Sequence, residues 1–241
     1  MENSNKTALV IGATGLVGTE LVTQLLDDER FEKVILFGRR SLNRPHDKLT
    51  EHIIDFDQPH TWQHWVQGDV LFSTLGTTLK QAGSKEAQYK IDYHYQYDFA
   101  KAASDQGVPH YVLVSSASAS PDSKIFYSRM KGELERDIST LSFKSISILQ
   151  PSLLYGDRKE KRVGESIGYS IIRRLNALSI LRKYRPIHAS TVAQGMVKAG
   201  TQNPAGKHIY ELDEIFSFVE FIDVFPRTVQ SSGLYHALCD G

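Results

Sequence analysis

The chain has 241 residues, enough to bury a substantial core as one α/β domain with or without a modest appendage. Lys plus Arg and Asp plus Glu each number 28, so the formal charge is zero, and bulk charge argues for neither nucleic acid nor a membrane surface. A single cysteine, Cys239, excludes an internal disulfide and a cysteine-based zinc site. No apolar run approaches the ~20 residues of a membrane helix, and the polar start from Met1 to Lys6 has no signal segment, so the reading is a soluble cytoplasmic protein.

Ala8 to Ile11 is a short apolar run rich in β-branched residues, which predicts a strand buried on both faces. Leu16, Val17, Leu21, Val22, Leu25 and Leu26 then recur at three- and four-residue intervals, so a helix with one apolar face starts near Gly15. Between strand and helix stand Gly12, Gly15 and Gly18. They suit a tight turn, close approach of backbone to a pyrophosphate, and close packing of helix on strand. Phosphates would meet unpaired N–H groups at the positive end of the helix dipole, bordered by Thr14, Leu16 and Val17. Glycines collect at turns for many reasons, but the strand–turn–helix setting favours dinucleotide binding.

Lys33 to Phe37 is a second strand, followed by Arg39 and Arg40. An NAD site would place an acidic residue about 20 positions past the glycines. Two guanidinium groups stand there instead and match the 2′-phosphate of NADP better than they suit a solvated turn. His52 to Asp55 reads as a third strand, with Asp55 placed to contact adenine. Gln58 to Gln67 is a crossover helix. His60 and His64 have the spacing of paired metal ligands, but no third ligand follows, so no metal is expected. Asp69 to Ser73 is the fourth strand, and Leu75, Gly76 and Thr77 follow it, where a doubly wound sheet places its ligand.

Ser84 to Gln106 reads as one long helix stopped by Gly107 and Pro109. Tyr89, Tyr93 and Tyr97 share one face of it, as core packing or as a subunit interface that leaves a homodimer open. Tyr111 to Val114 is the fifth strand, ending in Ser115, Ser116 and Ser118. A helix resumes around Ile125 with Tyr127, Lys131, Leu134 and Ile138, and Ser145 to Leu149 is the sixth strand, followed by Pro151. This alternation predicts an α/β Rossmann fold, a doubly wound parallel sheet with helices on both faces. Past residue 156 come a charge run, Asp157 to Arg162, helices at Glu165 to Leu178 and Ser190 to Gly200, and a last strand at His208 to Leu212. The whole chain, 1–241, reads as a single NAD(P)-binding domain in which 152–200 contribute a small substrate-side cap.

Tyr127 and Lys131 lie one above the other on a helix face. A free phenol titrates near about pH 10, and a neighbouring ammonium favours the phenolate, which suits proton transfer. The same spacing recurs at Tyr97 with Lys101 and at Tyr155 with Lys159. Only Tyr127 lies on the helix after a serine-ended strand.

Taken in chain order, G-A-T-G-L-V-G from Gly12, F-G-R-R from Phe37, S-T-L-G-T-T from Ser73, V-S-S from Val114, Y-S-R-M-K-G-E from Tyr127 and G-D-R-K-E-K-R from Gly156 resemble the short-chain dehydrogenase/reductase superfamily. More narrowly, they resemble its atypical Tat-interacting-protein-like NADPH-binding branch. The resemblance implies NADP(H), Tyr127 as acid/base, Lys131 on the ribose, and a serine on the carbonyl. Ser115, Ser116 and Ser118 compete for that last role, and Ser116 is chosen. It further implies that Leu75, Gly76 and Pro151 border the nicotinamide. The expected function is an NADPH-dependent oxidoreductase of a small-molecule carbonyl or alcohol. A nucleotide-sensing regulator and a nicotinamide-using epimerase are the alternatives.

Overall fold

The computed structural model describes residues 5–156, 182–202 and 204–220. Parallel strands buried on both faces are continuous apolar runs, and such runs form β1 (Lys6–Ile11), β2 (Phe31–Gly38), β4 (Val70–Ser73), β5 (His110–Val114) and β6 (Ser145–Gln150). The more polar β3 (Leu49–Ile53) closes one edge of the sheet. A short β7 (Leu154–Tyr155) pairs with β8 (Ile187–His188) outside it, and β9 (Gly206–Glu211) closes the other edge. The seven strands run parallel in the order β3-β2-β1-β4-β5-β6-β9. The order reverses direction between β1 and β4, which opens a crevice above their carboxyl ends.

Alternate residues of each strand enter opposite layers. Ala8, Val10, Phe72 and Leu149 face one side, where α1 (Leu16–Asp27) contributes Leu21 and Leu25. Leu9, Ile11, Leu71 and Leu113 face the other, against Phe99 and Leu134. Those two side chains come from α5 (Tyr95–Asp105) and α6 (Phe126–Ile138). The crossover after β3 is shorter than its sequence pattern suggests: α2 (Pro59–Trp62) passes directly into a 3-10 turn, Gln63–Trp65. Trp62 is fully buried there, its indole N–H bonded to the Asp55 carbonyl and its ring stacked on Phe99.

Three expectations change. The helix expected over 84–106 is divided into α4 (Lys85–Tyr89), a π turn (Lys90–His94) and α5, preceded by the single turn α3 (Leu79–Ala82). Ser84 caps α4 through the Ala87 amide, and Gly107, at φ 81°, ends α5. The third strand starts at Leu49, so Asp55 falls beyond its end. The helix read at Ser190 to Gly200 is α7 (Ala189–Gln202), and it is no part of a cap. Val192, Ala193 and Met196 are buried in the same layer as Leu21 and Leu25 of α1, with Gly200 close on the Phe72 ring. A last helix, α8 (Glu214–Glu220), buries Ile215 against that layer. The expected helix Glu165 to Leu178 lies outside the described residues, and no helix among the described ones is long and apolar enough to cross a membrane.

The tyrosine stripe packs within the fold. Tyr89 and Tyr93 stack at 4.8 Å, and their hydroxyls donate to Glu133 and Asp137 of α6. Replacing Trp62 by Ala should cost about 3–5 kcal/mol, because it leaves a cavity beside Phe99 and an unmet Asp55 carbonyl; urea unfolding measures the loss.

Candidate functional site

The crevice begins at Gly12, which turns the chain in the left-handed region at φ 81°. A Cβ there would overlap the Leu75 amide and the Thr74 carbonyl carbon, so a side chain would push the loops after β1 and β4 apart. Gly18 lies against the Gly12 carbonyl, where a Cβ would also overlap, and this seats the first turn of α1 beneath the crevice. No side chain caps α1 and no acidic residue occupies its first turn, so its amino end is open to an anion. Thr14 and Gly15 are exposed and Leu16 is half-buried. The Val17 side chain points into the core, leaving only its backbone for a ligand.

Arg39 and Arg40 stand exposed after β2 and line one cleft with Gly12, Gly38, Ile53 and Leu75. Glu51 borders that cleft, but its carboxylate is committed to the Ser41 hydroxyl and the Leu42 amide, which shapes the loop behind the arginines. His52 is stacked between Phe37 and Trp65, at 5.1 and 4.7 Å, and forms part of the wall. Asp55 does not line this cleft. Its exposed carboxylate accepts the Asp57 amide and closes its own turn. His64 packs on Trp65, with ring centroids 4.7 Å apart.

Across the switch point, the loop after β5 is fastened to α6. The Ser120 amide donates to the Ser128 carbonyl, the Ser128 hydroxyl donates to Ser118, and Gly132 leaves room for the backbone of Ser120 and Pro121. These contacts separate the three serines. Ser115 is buried beneath the site and Ser118 is held by Ser128; Ser116 is half-buried, its hydroxyl 3.5 Å from that of Ser118. Tyr127 is 38% exposed in the first turn of α6, and Lys131 lies buried one turn further on. The competing Tyr97 stacks on Tyr93, while Lys101 pairs with Asp105 at 2.5 Å; Lys159 lies outside the described residues.

Lys131 is sandwiched by acidic groups. Its Nζ is 3.5 Å from Asp92 Oδ1. Burial is the largest effect and works against the ammonium, but Asp92, Tyr127 and Glu135 together outweigh it and hold Lys131 above the usual lysine range. One turn beyond, Glu135 accepts both contacts of the Gln150 amide nitrogen, at 3.0 and 2.9 Å. Burial pushes its carboxyl up, against the opposing effects of Ser115 and Gln150, although the Ser115 hydroxyl closes no good hydrogen bond. Gly76 is exposed, Pro151 is buried, and the Thr77 amide is taken by Asp92. Asp92, Glu135 and Gln150 escaped the sequence reading. The available signal was polar spacing on helix faces otherwise read as apolar: Gln88, Asp92 and Gln96, then Tyr127, Lys131 and Glu135.

A glycine-lined switch point, an uncapped helix end and a cleft to its side define a dinucleotide-binding α/β domain. The chain belongs to the NAD(P)H-binding family, whose sequence model matches residues 12–164. It is 34% identical over 221 residues to the mitochondrial protein FMP52 of Eremothecium gossypii, covering 88% of this chain and 97% of that one. FMP52 of Saccharomyces cerevisiae, also named mitochondrial, is 40% identical over 158 residues, covering 64% and 68%. These relatives overturn the expectation of a cytoplasmic protein. Among solved structures, MoeE5 in complex with UDP-glucose and NAD superposes with a TM-score of 0.65 at 18% identity, covering 88% of this chain and 80% of that one. The UDP-glucose 4-epimerase of Thermotoga maritima gives 0.63 at 13% identity, covering 85% and 76%. Both share the Rossmann-like fold.

A raised Glu135 carboxyl stabilises the fold fully below its unfolded value, about 4.3, and loses that contribution as pH rises through the folded value. Glu135→Gln should therefore be more stable than the wild type at pH 7, and the gap should shrink as pH falls towards about 4. Urea melts across that range measure it.

Proposed function

We propose that this protein is an NADPH-dependent oxidoreductase of the short-chain dehydrogenase/reductase type, acting on the carbonyl or alcohol of a small molecule. The observation that carries the reading is the exposed phenol of Tyr127, one turn from the buried ammonium of Lys131 on a helix fastened to the Ser116 loop. The G-A-T-G-L-V-G, F-G-R-R and Y-S-R-M-K-G-E segments support placing it beside the Tat-interacting-protein-like branch. The names of its relatives support a mitochondrial location, which fractionation of cells expressing the tagged protein checks.

The first-turn amides of α1 hold the pyrophosphate, and Arg39 and Arg40 pair with the 2′-phosphate. Leu75, Gly76 and Pro151 border the nicotinamide, and Lys131 bonds the ribose hydroxyls. Bound NADPH supplies a hydride to the substrate carbon. The Ser116 hydroxyl donates to the carbonyl oxygen and orients it. Tyr127 gives its phenolic proton to that oxygen as the carbon is reduced, so C=O becomes CH–OH. The Lys131 ammonium stabilises the charge left on the phenol.

Tyr127→Phe should lower carbonyl reduction by about 10²–10⁴-fold while leaving NADPH affinity nearly unchanged, as followed by NADPH absorbance over a carbonyl panel. Tight NADPH binding with no turnover on any carbonyl, and no effect of the Phe substitution, would replace the enzyme with a nucleotide sensor. Arg39→Ala should weaken NADPH by roughly 10–100-fold and NADH little, as measured by calorimetry. Equal losses for the two would remove the NADP assignment.

A further inference from the structure

We propose that Asp92 is a positioning residue of this site: its carboxylate clamps Lys131 and at the same time holds the loop after β4 that receives the cofactor. The inference rests on the reading of the site given above and adds a group that sets two of its walls together. Asp92 and Lys131 side chains are only 1% and 4% exposed, with Nζ 3.5 Å from Oδ1. The same carboxylate accepts the Thr77 amide, at 3.0 Å to Oδ2 and 3.3 Å to Oδ1. Gly76, one residue earlier, leaves it space: a Cβ there would come within 2.9 Å of Oδ1. From the loop side, the Gln88 amide donates to the Thr77 carbonyl at 3.3 Å.

The backbone around Asp92 is built to hold it inward. Asp92 lies in the π turn between α4 and α5, and such turns widen a helix by one residue, often at functional sites. The Gln96 amide donates to the Asp92 carbonyl at 2.7 Å, and Gln96 is itself held by the Ser73 hydroxyl at 2.7 Å, at the end of β4. A buried ion pair is seldom the most stable filling for a core; an apolar pair of the same volume does as well or better. Stability therefore gives little reason for a charged pair here. The function that explains it is to keep Lys131 charged and fixed, at a place where burial alone would strip its proton.

The groups facing Lys131 are Asp92 from the π turn and Tyr127 and Glu135 from its own helix. Glu135 is tied to Gln150, which leaves Asp92 as the carboxylate shared with the cofactor loop. A cofactor that shifts the Leu75–Thr77 loop would pull on Asp92 and through it on Lys131, so binding and proton transfer are linked by one side chain.

The test is Asp92→Asn, which keeps an acceptor for the Thr77 amide and removes the charge. Lysine labelled at Cε reports Lys131 ionisation by NMR in the cofactor-free protein, assigned with Lys131→Met. In the wild type Lys131 should titrate above the ordinary lysine range, and in Asp92→Asn it should titrate about one unit or more lower than in the wild type. NADPH affinity, measured by calorimetry, should then fall on the alkaline side in the variant about tenfold more than in the wild type. Gly76→Ala crowds the same carboxylate from the loop side, should move both readouts in the same direction, and serves if the Asn variant does not fold. A Lys131 titration indifferent to these changes, or NADPH affinities that run parallel with pH, would overturn the assignment. The NMR arm needs neither turnover nor cofactor. If the wild type binds no NADPH, the proposed function fails while the Lys131 titration still judges the clamp.

Discussion

The site depends on a close approach of two backbones. The turn after β1 and the loop after β4 touch at Gly12, where a single carbon atom would overlap the Leu75 amide. Because the sheet order reverses between these strands, their following segments leave in opposite directions, and the gap between them is the crevice. Gly18 then brings α1 under the same point with its amino end uncapped. A glycine-spaced turn thus sets the distance between strands, the seat of the helix and the polarity of the crevice at once.

Around that contact the molecule divides its polar groups. The anion-facing side is backbone and exposed guanidinium, which cost little to keep solvated. Beneath the exposed Tyr127, Lys131 pairs with Asp92 and Glu135 with Gln150, all four buried. In such surroundings each hydrogen bond counts for more, and each unpaired group would be costly. Tyr89 of α4 and Tyr93 of the π turn bond to Glu133 and Asp137, so the helix carrying Tyr127 is tied to its neighbours at two points.

Several departures from expectation share one cause. Ser190 to Gly200 looked like a cap element because it follows the loosening of the alternation, yet its apolar side matches the open space beside α1 and fills it. Gln58 to Gln67 reads as one crossover helix, yet the α-helix ends at Trp62, whose indole is buried and bonded to the Asp55 carbonyl. The cellular compartment is different again: it was read from composition and the absence of a leader pattern, and relatives named as mitochondrial proteins correct it.

The sequence by itself determined the doubly wound fold, the glycine turn, the twin arginines and the Tyr127–Lys131 pair. Each is a local signal: buried parallel strands are unbroken apolar runs, a glycine turn is a short backbone constraint, and a four-residue spacing puts two side chains on one helix face. Only the tertiary structure separated the three serines, burying Ser115 beneath the strand end and bonding Ser118 to Ser128, because these contacts come from the packing of α6 on the loop after β5. It alone also decided that Asp92 meets Lys131. That meeting requires a π turn and the packing of two helices distant in sequence, and no pattern along a single chain encodes which polar groups converge once a sheet brings its strand ends together.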